Sequence, residues 1–328
     1  MRITKVILKK TAMAAVIPTG LFILFMFLAP ARINLSVVTL LLQQAIVPAI
    51  IAWGLCFVLQ CGLWDFSVGA VVVLSGIIGG NLAMMWGLGI VGIIALCALL
   101  GLILGTITGT IFVLLRIPSM VVTVGMLLIM ESLSTVVFQG RGAVVPDEYL
   151  VLGDFPVNVI IGACVFAFAY YLYNFRKFGY HVRAIGNKPQ VAKSSGININ
   201  HVRLLCFSTA GLFAGIYASV TLGISGVSNS ISNMASMGVM FCAMICVLIG
   251  RTIDGSVNLI VGVYVGSVTL QILKLGILTT GLPGTFEYVI ISFLLLLFLA
   301  CKTRQDFIRK VFSMLKAVFA RKAGEQGR

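Results

Sequence analysis

Residues 176–203, RKFGYHVRAIGNKPQVAKSSGININHVR, form the one long polar interval in an otherwise oily sequence. They hold six basic side chains (Arg176, Lys177, Arg183, Lys188, Lys193 and Arg203), both histidines of the chain, and no Asp or Glu. Apolar runs long enough to cross a bilayer lie on each side. Lys and Arg beside membrane spans resist translocation, so a loop this basic belongs on the cytoplasmic side and fixes the orientation of everything else. Inside the loop, Asn187–Pro189 breaks the backbone. Gln190–Ser195 then reads as a short helix, with Gly196 as its C-terminal stop. Two readings of the loop stand side by side: a solvated connector, as most charge runs are, or a docking place for a soluble partner.

Composition agrees with the membrane reading. The chain has 328 residues, 60% hydrophobic and 10% charged, with mean hydropathy +1.13. A soluble domain carries about 25% charged residues. The 35 glycines suit close helix packing in lipid. The net charge of +14 does not argue for nucleic acid. The basic residues gather in the tails and in 176–203, the positive-inside pattern rather than a groove for phosphates.

The eight cysteines (Cys56, Cys61, Cys97, Cys164, Cys206, Cys242, Cys246 and Cys301) sit in or at the ends of apolar runs, and none forms a C-x-x-C pair. With both histidines in the basic loop, neither a metal site nor a disulfide framework is expected, and no cofactor is implied. Arg2, Lys5, Lys9 and Lys10 precede an apolar run, Thr11–Ala29, with no small-x-small cleavage site after it. The run is about long enough for a full span and reads as uncleaved.

Ten spans are expected, at 11–29, 36–61, 66–86, 88–115, 118–138, 156–175, 203–224, 234–250, 256–276 and 283–301. Threaded from a cytoplasmic N-terminus, the acidic loop 139–155 falls outside, while 176–203, the turn with Arg251 and the tail after Lys302 fall inside. Both halves of the chain agree on orientation, which supports an even count and cytoplasmic termini. The fold class is therefore an all-α polytopic membrane protein, with a transmembrane domain over 1–301 and a basic tail over 302–328. An apolar stripe in that tail (Ile308, Val311, Phe312, Leu315, Val318 and Phe319) suits a helix lying on an anionic leaflet.

Pro48 should bend the second span. Gly101, Gly105 and Gly109 form a small-xxx-small ridge for close helix approach. Four charges lie at or near membrane depth. Glu131 is the deepest and is expected to face the path or a buried partner. Asp65, Lys274 and Glu287 read as interfacial. No G-x-x-x-x-G-K-[ST] occurs, so the chain has no P-loop of its own, and no catalytic constellation shares one depth.

Three stretches carry a resemblance to the permease subunits of ATP-binding-cassette importers of the ribose/xylose/galactose type. GLWDFSVGAVVVLSG (62–76) is similar to that family's G-G-I-D-L-S-V-G-S. RIPSMVVTVGMLLIMESL (116–133) is similar to its basic residue, V/I-P and T-L-G-M pattern. RAIGNKPQVAKSSGININHVRLLCFSTAGLFAGI (183–216) is similar to its A-I-G-x-N-x-x-A-A-x-x-S-G-I-x-V motif. The resemblance runs from about the second span to the tenth. It implies the permease fold of those importers in the inner membrane, and a coupling helix in the basic loop that docks into an ATPase subunit through Gly186, Asn187, Ala192, Ser195 and Gly196. Path candidates in the first two motifs are Asp65, Ser67, Gly69, Thr123 and Glu131. It further implies a second permease subunit, a separate ATPase, an extracytoplasmic solute-binding protein and a monosaccharide or similar cargo. The chain departs from the pattern at Leu63, Trp64, Ala70 and Glu131, the last where such permeases commonly show Arg. Permeases for branched-chain amino acids or nucleosides share similar loops, and an ion-coupled secondary transporter and a membrane-embedded enzyme are the alternatives of a different class.

Overall fold

The computed structural model describes residues 35–254 and 257–279, with isolated positions as far as residue 296. In chain order the helices are α1 (Leu35–Gln44), α2 (Ile46–Gln60), α3 (Val68–Met85), α4 (Gly89–Leu115), α5 (Ser119–Val136), α6 (Val157–Asn174), α7 (Lys177–Asn187), α8 (Pro189–Ser194), α9 (Ile199–Ser225), α10 (Met237–Ile253) and α11 (Leu259–Thr279). Two short strands, β1 (Ala143–Val144) and β2 (Val227–Ser228), pair antiparallel. Among the described residues, seven helical segments are long and apolar enough to cross a membrane, and Met237–Ile253 is a shorter apolar helix. These eight coincide with eight of the ten expected spans. The expected span 11–29, most of 283–301, Glu287 and the tail 302–328 lie outside the described residues.

Contacts between linkers sort the helix ends into two groups. At the basic end, a β-carbon on Gly186 would collide with the Gln60 carbonyl, Arg251 donates to the Leu59 carbonyl at 3.4 Å, and Asn258 donates to the Asn174 side chain at 2.6 Å. At the opposite end β1 meets β2, and Asn81 donates to the Gly142 carbonyl at 2.8 Å. The basic loop and the acidic 139–155 loop thus sit at opposite ends, as positive-inside threading requires.

α2 is buried from Ala49 to Leu59 and is apolar on every face, the mark of a central helix. α4 buries only a stripe that includes Ile93, Cys97, Gly101, Gly105 and Phe112. That stripe lies on α9, and the glycine ridge is the reason it can. A β-carbon on Gly105 would sit 2.8 Å from the Gly211 Cα, and one on Gly101 would sit 2.8 Å from the Gly215 nitrogen. Two facing glycine pairs therefore bring the backbones together, and packing replaces the hydrophobic effect that lipid cannot supply.

The bend before Pro48 falls at Ala45, where α1 gives way to α2. Proline cannot donate to the carbonyl four residues back, so a backbone acceptor is freed at membrane depth. α11 supplies donors here. Gln271 donates to the Gln44 carbonyl, the one Pro48 leaves without its amide, at 3.1 Å; Tyr264 donates to the Leu42 carbonyl at 3.0 Å, and Ser267 adds a second donor to the Ala45 carbonyl, which already accepts the Ala49 amide at 3.3 Å. The spacing 264, 267, 271 puts all three on one helix face.

One sequence reading is corrected here. Lys274 does not end its span: α11 continues to Thr279, and Lys274 lines a cavity with Gln44, Tyr217 and Gln271. Asp65, in the linker between α2 and α3, is buried within the protein, at 3% exposure.

Candidate functional site

Two places gather the residues singled out from sequence. The first is the basic loop. α7 ends at Asn187, and Lys188 adopts an extended backbone (φ −150°, ψ 96°) because Pro189 follows it. Pro189 then opens α8 at its first position, where its missing N–H costs nothing. The helix stops as glycine stops helices. Gly196 has φ +80°, its amide donates to the Lys193 carbonyl at 3.0 Å, and the Ile197 amide donates to the Ala192 carbonyl at 3.1 Å.

Of the five loop residues, Ala192 is buried at 3%, while Gly186, Asn187, Ser195 and Gly196 are exposed. Ser195 folds its hydroxyl back onto the Val191 carbonyl at 3.0 Å. Gly186 needs to be small because it abuts α2. Val191 and Tyr180 stand out from the loop at 58% and 57% exposure. Arg183 lies over Tyr180 and Tyr173, at 4.6 and 5.0 Å from their ring centroids. The result is a rigid, basic hook with apolar tips, held on the body of the protein by Ala192.

The second place is at mid-depth. Glu131 lies about 18 Å along α5 from its first residue, at 1.5 Å per residue. Its carboxylate accepts the Met234 amide at 2.8 Å and the Ser236 amide at 3.0 Å. Asn233 and Met234 both have φ +60°, a conformation unfavourable to side-chain-bearing residues that turns successive amides inward. Ser134, one turn along α5, accepts the Ile231 amide at 3.4 Å. The segment after β2 is thereby drawn down between α3 and α5, and α10 starts level with Glu131 rather than at the end of α5. The helix dipole favours a carboxylate at this point.

Gly69 belongs to the same junction, since a β-carbon there would collide with the Ser236 carbonyl. Asp65 and Ser67 sit just before it. The Asp65 carboxylate accepts the Ser67 amide at 3.0 Å and the Ser67 hydroxyl at 2.6 Å. Burial pushes the Asp65 carboxyl up to about 6, against the opposing pull of hydrogen bonds from Ser67 and Val68. Thr123 stands apart, nearer the basic end. It donates to the Ser119 carbonyl at 2.9 Å, and Ser119 accepts the Trp64 amide at 3.0 Å. The structure therefore joins Gly69 and Glu131 through Ser236, places Asp65 and Ser67 at the start of the same helix as Gly69, and leaves Thr123 to pin the linker below. Glu131, like Asp65, is sealed from solvent, at 2% exposure.

Ser236 was not singled out from sequence. It is buried, and among the described residues its hydroxyl has no hydrogen-bond partner. The signal for it was the polar run SNSISNMAS at 228–236, set between two apolar spans. Among the described residues no group of three or more His, Cys, Asp or Glu could hold a metal ion.

Comparison with known proteins adds the following. Residues 37–299 match the family described as "Branched-chain amino acid transport system / permease component". The chain is 26% identical over 267 residues to the ribose import permease protein RbsC of Escherichia coli (strain K12), which covers 78% of this chain and 82% of that one. It is 26% identical over 289 residues to the fructose import permease protein FrcC of Rhizobium meliloti, covering 83% and 78%. It is 23% identical over 294 residues to the galactose/methyl galactoside import permease protein MglC of Escherichia coli (strain K12), covering 82% and 87%.

Proposed function

Since the chain belongs to the branched-chain amino acid transport system / permease component family, we propose that it is the membrane-spanning subunit of an ATP-binding-cassette importer for a monosaccharide or a similar small polar solute. It sits in the inner membrane and forms half of the translocation path, with a second permease subunit forming the other half. A separate ATPase subunit binds and hydrolyses ATP, and an extracytoplasmic binding protein delivers the solute. The chain itself makes and breaks no bonds.

The observation that carries this reading is the hook at the basic end. A helix of one and a half turns, fenced by Pro189 and Gly196 and seated on Ala192, is suited to passing rigid-body motion to the spans. The α7–α8 pair hands that motion to α2 through Gly186 and to α9 through the short link at Ile197–Asn198. The cargo class rests on the named relatives, which are import permeases for ribose, fructose and galactose. Weak, multiple polar contacts suit such a cargo, because a tight site would slow release.

The test is uptake into proteoliposomes holding the chain with its ATPase and binding-protein partners. Radiolabelled ribose, xylose, galactose, fructose and leucine are offered in turn. Uptake of one sugar that requires ATP and ignores ionophores is expected. Leucine uptake would move the cargo to amino acids. Uptake without ATP that collapses with the ion gradient would overturn the reading.

A further inference from the structure

We propose that the pocket where α6, α7 and α9 meet is a binding site for an anionic phospholipid of the cytoplasmic leaflet. The pocket holds about 560 Å³. Its walls are Leu172, Phe175, Phe178 and Leu205, and among the described residues its only charged lining is Arg176 and Lys177. The charge is confined to one end of the lining. Arg176 and Lys177 lie where α6 gives way to α7, at the basic end, flanked by Phe175 and Phe178. The apolar wall continues along α9 from Leu205 to Thr209, and Thr209 lies about 9 Å further along that helix than Arg203. A ligand that fits must carry negative charge at one end and hydrocarbon at the other.

The corner is built rather than floppy. A β-carbon on Gly179 would lie 2.6 Å from the Leu172 carbonyl oxygen and would collide with that of Tyr173, so α7 folds tightly back on the end of α6. The Arg176 guanidinium lies over the Tyr171 ring at 5.4 Å, which holds it at the rim. Phe175 stacks on the same ring at 6.1 Å and is 66% exposed, an apolar side chain set out at the membrane boundary.

Charge decides the occupant. Among the described residues no Asp or Glu lines the pocket, and none occurs anywhere in 176–203. The cytoplasmic leaflet is the anionic one, and basic pockets between spans on that side take acidic head groups. A soluble phosphate would find charge on the rim only, and beyond it Leu172, Leu205 and Thr209, whose hydroxyl is already given to the Cys206 carbonyl at 2.9 Å. The acyl chain accounts for the wall and the phosphodiester for the rim. The site lies at the root of α7, the helix that leads into α8.

The experiment is native mass spectrometry of the full chain in detergent. It is offered phosphatidylglycerol or phosphatidylcholine with identical acyl chains. The native chain should retain phosphatidylglycerol preferentially. Each basic residue near an anionic surface is worth roughly fivefold in binding, so R176Q/K177Q should lose about 25-fold. R116Q/K188Q removes the same charge at the same end, outside the pocket, and should retain the lipid. T209W keeps both cations but fills the slot, and should also lose it. Excess inorganic phosphate should displace nothing. Equal retention of phosphatidylcholine, retention by R176Q/K177Q or by T209W, or displacement by phosphate would each overturn the proposal. So would no retention at all, which would mean that another part of the protein or a second copy covers the pocket. Thermal unfolding of each variant separates lost binding from lost folding, and R176Q/K177Q alters only exposed side chains.

Discussion

The Glu131 carboxylate on α5 accepts the amide of Ser236, at the entrance to α10, at 3.0 Å. Its other oxygen takes the Met234 amide at 2.8 Å. A charge deep in a span thus finds its partners in backbone that must turn inside the membrane. Each side of the contact needs the other. The carboxylate is too costly to bury alone, and the amides of an unwound segment have no water to bond to.

Replacing Glu131 should therefore unseat α10. Glu131→Ala leaves two buried N–H groups unpaired, each at a cost of about 1–3 kcal/mol. Glu131→Gln keeps one acceptor and should cost less. The expected order of thermal stability in detergent is native, then Gln, then Ala, with uptake falling in the same order. An Ala variant as stable as the native chain would show that the contact holds nothing.

How much of this was legible in the sequence depends on the range of each interaction. The stop at Gly196 and the break before Pro189 are local, and both were read correctly from residue type. The Gly101/Gly105 ridge was visible as a pattern, but its partners Gly211 and Gly215 were not, because only the fold brings α4 onto α9. Glu131 announced itself as an expensive charge. Its amide partners lie a hundred residues away and carry no side-chain signature. Hydropathy puts the start of the eighth span at 234 and cannot see that the segment entering it is held by Glu131, within α5. The carbonyl freed by Pro48 is foreseeable, whereas its partner Gln271, on a helix more than two hundred residues away, is not.

The glycine interface gives a contrast within one protein. Gly105→Val forces a branched side chain against the Gly211 backbone, and overpacking of this kind costs typically about 1–3 kcal/mol. Gly125, on α5, has nothing within 4 Å of an added β-carbon. Gly125→Ala should leave folding unchanged, and Gly105→Val should lower the yield of monodisperse protein and its unfolding temperature. Equal behaviour of the two would mean that α4 and α9 are not in backbone contact.

Asp65 makes stability depend on pH in a defined direction. Its folded-state value of about 6 is above the ordinary 3.8. The folded chain therefore holds the proton more tightly than the unfolded chain. Lowering the pH from 7 through 6 stabilises, and the effect saturates near 4. The full span corresponds to about 3 kcal/mol. Asp65→Asn still offers an oxygen to Ser67 but does not titrate. The native chain should be less stable than the Asn variant at pH 8, and the gap should narrow as the pH falls, by about half at pH 5 and by most of its span near pH 4. A gap that stays constant across that range would rule out Asp65 as the titrating group.

Coupling makes a last demand on the hook. Gly186 touches the Gln60 carbonyl at the end of α2, and Ala192 is the buried residue by which α8 sits on the body. Gly186→Val pushes α7 away from α2, and Ala192→Leu lifts α8 from its seat, while neither touches the mid-depth junction at Glu131. In proteoliposomes holding the ATPase and binding-protein partners, both variants should hydrolyse ATP without matching uptake, so that ATP spent per solute moved rises severalfold. Thermal unfolding should show only modest loss, because the loop lies at the periphery of the fold. Normal uptake with both residues changed would remove the hook as the docking element and return residues 176–203 to a solvated connector.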